Sequence, residues 1–332
     1  MAGYRISDVA AAAGVSTTTV SHALSGRRAV AEETKKRIHQ AIKELNYRPS
    51  IAAQSLRSRK SYSVALIVSD IANPYYPSLA RAIHDRLDPE GYVTLICNTN
   101  GDAATEERFL QDMVARGVDG MIMTVTALGS ARIREIVGPD LPIIGGGTDA
   151  SDVGADHVGS DDARGILHAV EYLAGRGIRD IGFVSGPEGE LPSVVRLDSF
   201  RRACGETGIE VREEWITHTP FTHDGGIVGG GTLLGAPTGR PRAIMCANDL
   251  IAVGVVEAAR AAGLTVPDDL SVIGFDDIDL ARLVSPKLTT IENPAVATGL
   301  ACAEALIRRI DDRAAPPLRI DIPTRLIVRG TA

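Results

Sequence analysis

Hydrophobic residues in the first fifty positions recur at helical spacing, whereas beyond residue 60 they gather into short unbroken runs, so a small helical unit is expected ahead of a long α/β segment. Val9 and Ala10 fall on one face of a short helix, Gly14 supplies a turn where a side chain would be costly, and Ser16 is placed to cap a second helix. Within that second helix Val20 and Leu24, four residues apart, are expected to face inward. A third helix opens on Glu32 and Glu33, acids that suit a helix N-terminus, and carries Ile38, Ala41, Ile42 and Leu45 at i, i+3, i+4 and i+7. Together they predict a helix-turn-helix head over residues 1–48. Thr17, Thr18, Ser21 and His22 then point outward from the start of the second helix, with Ser16 and Thr19 beside them. That end enters a DNA major groove in this kind of docking.

The chain leaves the third helix through Pro49, and residues 49–60 read as a hinge. Ile51, Ala52, Ser55 and Leu56 share one face of a single helix too short to persist alone in water. Apolar runs follow at Ser63–Val68, Tyr92–Cys97, Gly120–Met123, Pro142–Ile144, Asp180–Val184, Ala243–Cys246 and Leu270–Phe275, with helical patterns between them such as Leu79–Leu87 and Leu250–Ala262. Continuous apolar strands alternating with helices mean parallel sheets covered on both faces. The expected fold class is an all-α helix-turn-helix head on an α/β body, residues 61–332, of two parallel-sheet lobes.

Charge divides the same way. Residues 1–60 hold eleven Lys and Arg against four acids, a net of +7, while the remainder holds 24 against 38, a net of −14. A basic head neutralises phosphates and an acidic body stays off the duplex, so double-stranded DNA is the expected partner.

The segments Ile6–Leu24 and Arg48–Arg59 make the chain similar to the LacI/GalR family of bacterial transcription regulators, and the resemblance covers nearly all of its length. Ser16–His22 and Val30–Thr34 are especially similar to the purine-repressor branch, whereas Arg5, Ala31 and Gln54 depart from common family residues. The resemblance implies that two hinge helices pack together on DNA and push a leucine into the minor groove. Leu56 matches that wedge, with Ala53 and Arg57 as further contacts. It also implies a periplasmic-binding-protein-like body. Lobe 1 would span about 61–160 plus 292–322, and lobe 2 about 161–291 plus 323–332.

Ligands of open parallel sheets bind beyond the carboxyl ends of the strands. The loops there include Ser69–Tyr76, Thr124–Thr126, Gly145–Asp149, Ser185–Pro187, Ala247–Asp249 and Phe275–Asp279. By resemblance, Tyr75, Tyr76, Thr124, Arg196, Phe221, Asn248 and Asp276 match effector-pocket positions, although Ser199 replaces a usual glycine after Arg196. Gly145–Gly147 stands where sugar-responsive members often carry an Asp, and Glu190 and Pro192 stand where the purine branch has an Arg and a Thr. A sugar, polyol or nucleoside ring is therefore the expected small-molecule effector, since aromatic faces hold a ring while an arginine, an amide and a carboxylate fix its polar groups.

Other chemistries are not expected. Neither Gly145–Gly147 nor Gly225–Gly231 forms a dinucleotide fingerprint, and no phosphate-loop motif is present; the second cluster is expected to let helices pack closely. Cys97, Cys204, Cys246 and Cys302 are scattered without CxxC spacing, and the histidines form no ligand motif, so neither metal nor cofactor is expected, nor an enzyme. The N-terminus lacks a signal-like apolar run and no stretch of eighteen apolar residues exists, so a cytoplasmic protein without membrane contact is expected. With the family's tetramerising tail absent after Leu326–Ala332, a homodimer is expected on a pseudo-palindromic operator, most simply as a repressor. The alternatives are control of the same regulator by a protein partner, or a small-molecule-binding protein or enzyme with a helical appendage.

Overall fold

Three helices form where the apolar spacing places them: α1 (Ile6–Ala13), α2 (Thr17–Ser25) and α3 (Glu32–Glu44). The computed structural model describes residues 4–25, 28–47, 60–124, 127–146, 156–237 and 239–332. The expected DNA contacts Ala53, Leu56 and Arg57 lie outside the described residues, as do Thr126 and Asp149. The chain divides into two compact units, Met1–Ser61 and Tyr62–Ala332.

In the first unit α1 ends on Gly14, whose φ of +63° turns the chain at little steric cost. Arg37 of α3 then donates from Nη2 to the Ala13 carbonyl at 2.6 Å, satisfying one of the orphan acceptors at the helix end. Arg5 offers no side-chain oxygen to cap α1; instead Asp8 turns back and accepts the Arg5 backbone N–H at 2.7 Å. Val9, Ala10, Ala13, Val20, Ile38 and Ala41 are buried together. Leu24 corrects the sequence reading: it is 40 % exposed, and Ala23 packs against this core in its place. The seam with the other helices passes from Val20 to i+3 rather than i+4, a choice that periodicity alone leaves open.

The body begins β1 (Ser63–Val68), α4 (Tyr75–Leu87), β2 (Val93–Asn98), α5 (Ala103–Arg116), β3 (Gly120–Met123), α6 (Ser130–Val137), β4 (Ile143–Gly145) and β5 (Asp156–Ser160). It continues α7 (Asp162–Gly175), β6 (Ile181–Ser185), α8 (Leu191–Thr207), β7 (Ile216–His218), α9 (His223–Leu234), β8 (Ala243–Cys246), α10 (Asp249–Ala261), β9 (Ser271–Asp276), α11 (Leu280–Leu283) and β10 (Thr289–Glu292). It ends α12 (Ala295–Asp311), β11 (Arg319–Ile322) and β12 (Arg325–Ile327). The strands assemble as two six-stranded sheets, β11-β5-β4-β3-β1-β2 and β12-β10-β9-β8-β6-β7. Pairing is parallel except between β10 and β12, which run antiparallel. The chain therefore passes from one sheet to the other after β5, after β10 and after β11.

Both faces of β1 are covered, which explains its unbroken apolar run. Val64, Leu66 and Val68 pack with Leu79, Ile83 and Leu306, while Ala65 and Ile67 pack on the opposite face with Leu110, Met113 and Ile133. The second sheet has the same construction around Phe183, Phe200, Ile273 and Phe275. Among the described residues five strands escape the apolar-run rule: β5, β7, β10, β11 and β12. They are short, several lie at or beside an edge, and each mixes polar with apolar residues, as in Asp-His-Val-Gly-Ser for β5. The glycines of α9 pack a helix rather than cradle a phosphate. A Cβ on Gly226 would lie 2.8 Å from the Ile251 backbone carbon, and one on Gly254 of α10 would lie 2.7 Å from the Ile227 nitrogen. The four cysteines are buried and free.

Candidate functional site

At the start of α2 the cap and the exposed positions divide the candidate DNA contacts. Ser16 Oγ accepts the Thr19 N–H at 3.1 Å and shares a 2.9 Å hydrogen bond with the Thr19 hydroxyl, so these two side chains hold the helix end. Ser16, Thr17 and Thr18 are exposed, whereas Thr19, Ser21 and His22 are partly buried. The structure thus presents Thr17 and Thr18 most openly, on a helix of which Val20 is the anchor.

In the body a cleft of about 620 Å3 opens beyond the carboxyl ends of strands from both sheets. Tyr75, Tyr76, Thr124, Arg196, Phe221 and Asp276, expected from sequence, all line it. Tyr75 and Tyr76 begin α4 and meet edge to face, with ring centroids 5.4 Å apart. Ser69 donates to the Tyr76 hydroxyl at 3.0 Å, fixing that ring at the cleft floor. Burial pushes both phenols above their ordinary range; the charge on Asp276 adds to this at Tyr75 and Tyr76, while the Ser69 hydrogen bond opposes it at Tyr76. Both phenols therefore offer neutral hydrogen-bonding groups.

Arg196, on α8, is the centre of a buried polar clasp. Its Nε donates to Asp162 at 2.9 Å, Nη1 donates to the Ala247 carbonyl at 2.6 Å, and Nη2 lies 3.5 Å from Asp276. The guanidinium also stacks on Phe275, 3.8 Å from the ring centroid. Asn293 donates to Asp276 at 3.1 Å, and Ser160 donates to Asp162. Burial pushes Asp276 up to about 6, and the neighbouring Asp162 adds to the rise, against the opposing pull of Arg196 and the Asn293 hydrogen bond.

Asp276 and Asp277 have φ of 111° and 53°, a left-handed geometry unusual for residues with side chains. Their surroundings hold it. Asp277 is gripped by Arg329 at 2.6 Å and Arg282 at 3.0 Å, and Asp249 accepts the Ile278 N–H at 2.9 Å just downstream. Asp249 is fully buried, and that burial drives its carboxyl well above the usual range, with the neighbouring charge on Asp276 adding to the shift.

Asn248 is the one expected pocket residue that does not line the cleft. It is 1 % exposed and spends its side chain on the fold: Oδ1 accepts the Ile251 N–H at 2.8 Å, capping α10, and Nδ2 donates to the Phe221 carbonyl at 3.3 Å. It thus steadies the Phe221 loop from behind. Conversely, Asp162, Asn293 and Thr298 line the cleft without having stood out in the sequence. Asp162 and Asn293 sit at passages between the sheets, and Thr298 lies one turn into α12, so no local pattern marks them. The Asn293 Oδ1 and Thr298 hydroxyl are buried atoms without a hydrogen-bond partner, two polar groups held toward a cavity that a polar ligand would satisfy.

Among the described residues no group of three or more metal-ligating side chains occurs, and no helix is long and apolar enough to cross a membrane.

Comparison with known proteins agrees with this architecture. Residues 5–50 match the family described as bacterial regulatory proteins, lacI family, and residues 170–332 match the periplasmic binding protein-like domain. The ribose operon repressor of Escherichia coli K12 is 34 % identical over 327 residues, covering 98 % of each chain. The HTH-type transcriptional repressor PurR of Vibrio campbellii is 32 % identical over 330 residues, again covering 98 % of each. A solved LacI family transcriptional regulator from Enterococcus faecium, with bound ribose, is 30 % identical with a TM-score of 0.73, covering 81 % of this chain and 98 % of its own. With a helix-turn-helix at one end, a two-sheet body around a cleft, and relatives matched along almost the whole length, the chain belongs to the lacI family of bacterial regulatory proteins.

Proposed function

We propose that the protein is a transcriptional repressor that binds a pseudo-palindromic operator as a homodimer, with its DNA affinity set by a sugar in the body's cleft. The observation that carries this reading is the clasp of Asp162, Arg196, Asp276 and Asn293 at the cleft. It joins residues on two of the passages between sheets to the ligand-facing surface, so a ligand touching it biases how the two sheets sit. Function is then a coupling free energy between sugar and DNA. Tyr75 and Phe221 offer ring faces, Asp276 accepts hydroxyls, and Thr17, Thr18, Ser21 and His22 read bases, with Leu56 as the minor-groove wedge between Ala53 and Arg57. A pentose is the first candidate, because an extensively matched relative is a ribose operon repressor and a matched structure holds ribose.

Fluorescence anisotropy on symmetric duplexes tests the reading. Specific affinity should fall steeply with salt, and ribose should shift it by about 5- to 150-fold. Binding that is indifferent both to duplex symmetry and to every sugar tried would refute it. The ionised form of Asp276 is the hydroxyl acceptor, and its carboxyl titrates near pH 6. Sugar affinity should therefore fall as pH drops below about 6, by up to about tenfold per unit, and the Asp276→Asn variant should lose this slope. Calorimetric titration between pH 7.5 and 5.5 measures it, and identical slopes in the two proteins would remove Asp276 from the role.

Pairing is proposed through the outer face of the first lobe. Ile71 and Ile96 are exposed there, 36 % and 49 %, beside a depression lined by Pro77, Ala80 and His84. Ile96→Asp should shift sedimentation velocity from dimer toward monomer at micromolar concentration, because a charge buried in an apolar interface lacks a partner. An unchanged dimer would place the interface elsewhere.

A further inference from the structure

The charge around the cleft is lopsided. Asp70, Asp162, Glu190 and Asp276 border it, whereas the guanidinium groups of Arg196 and Arg319 are its only permanent cations among the described residues. Neither cation is at liberty. Arg196 donates to Asp162 and to the Ala247 carbonyl and is ion-paired with Asp276 at 3.5 Å, and Arg319 is doubly paired with Asp321 at 3.1 Å. Three of the acids are likewise engaged: Asp162 and Asp276 in the clasp, and Asp70 as acceptor of the Ala72 N–H at 2.9 Å.

Glu190 is different. It occupies the N-cap position of α8 yet its side chain caps nothing. Instead the carboxylate reaches over to the first lobe, where Gly101 follows β2; a Cβ on Gly101 would stand 3.3 Å from Glu190 Oε1. Burial raises its pKa and no neighbouring cation offsets that effect. A helix N-terminus ordinarily attracts anions. At α8 the protein has placed its own anion there, in the lining of the cleft and close to Gly101 of the opposite lobe.

We propose that Glu190 is a charge filter that restricts the cleft to uncharged polyhydroxyl ligands, accepting ligand hydroxyls across the interlobe gap and rejecting phosphorylated or carboxylated analogues. The inference rests on the reading that a sugar occupies the cleft, and it narrows that reading to free sugars. A carboxylate only accepts, and hydroxyls donate to it through charge-assisted bonds. A phosphate in the same confined space meets repulsion that water screens poorly and finds no guanidinium to neutralise it. The site thus senses a sugar before phosphorylation, not the product of a kinase acting on it.

The test is isothermal titration of the full chain with matched pairs: ribose and ribose 5-phosphate, glucose and glucose 6-phosphate, adenosine and its 5′-monophosphate. The free member of one pair should bind at least about tenfold more tightly than its phosphate in the wild type. Glu190→Gln should shrink that ratio to about threefold or less, and Glu190→Arg should favour the phosphate. Melting curves without ligand establish that both variants fold, and the wild-type ratio stands as a test independent of them. A phosphate that binds as well as its parent, or a ratio unmoved in Glu190→Gln, overturns the filter and leaves a sugar-responsive repressor standing. If no member of any pair binds while the operator still does, the sugar reading itself falls and the filter with it.

Discussion

Replacing Arg196 with methionine should destabilise the body by about 3–5 kcal/mol at pH 7.5 and abolish any response to sugar. The side chain is 9 % exposed, as is that of Asp162, and that of Asp276 is 5 % exposed, so removing the cation leaves two buried carboxylates facing each other. The sign with pH follows from the unfolded reference. Both acids titrate near pH 4 in the unfolded chain, and burial has already raised Asp276 to about 6 in the folded protein. Without Arg196 the folded Asp276 holds its proton to still higher pH, so the variant gains stability relative to the wild type as pH falls from 7.5 toward 5. Urea unfolding at both pH values measures the gap, and Asp162→Asn in the same background should restore part of the loss, because it removes one of the stranded charges. A loss below about 1 kcal/mol with no dependence on pH would mean that the acids do not rely on Arg196.

Two alanine substitutions in adjoining helices should act in opposite directions. Glycine to alanine in a helix interior normally stabilises by about 0.5–1 kcal/mol. Gly231 on α9 has nothing within 4 Å of an added Cβ, and Gly231→Ala should follow that rule. On α10, an added methyl at Gly254 meets the His223 carbonyl oxygen, the Ile227 nitrogen at 2.7 Å and the Gly226 carbonyl carbon at 2.8 Å. These are backbone atoms with no rotamer to yield, so Gly254→Ala should cost about 3 kcal/mol or more by forcing α9 and α10 apart. Thermal unfolding of the two variants side by side is the measurement. Equal shifts would show that helix propensity, not interhelical distance, governs these positions.

The same helix pair shows how far sequence reading reached. The glycine run Gly225–Gly231 was legible as a device for close helix packing, because it lacked the strand and spacing of a nucleotide loop. Likewise β1, β3, β6, β8 and β9 were legible because strands buried on both faces show unbroken apolar runs. The strands that hid, such as β5 and β10, carry Asp156 and Glu292 among few apolar neighbours. Asp156 sits in a strand because Arg309, from far along the chain, grips its carboxylate with Nε at 2.9 Å and Nη2 at 2.8 Å. No window of neighbouring residues contains that partner.

Local order and chemical inventory were thus determined by the residues themselves. Helical spacing set the head, apolar runs set the inner strands of both sheets, charge separated a basic front from an acidic body, and the family motifs named Tyr75, Tyr76, Thr124, Arg196, Phe221 and Asp276. Tertiary structure alone decided that Leu24 turns outward while Ala23 packs, that Asn248 caps a helix instead of lining the cleft, and that Asp162 and Asn293 complete the clasp. The reason is distance along the chain. Periodicity reports interactions within one turn or one strand, whereas the pairing of Arg196 with acids 34 residues before it and 80 after it exists only once two sheets have exchanged strands.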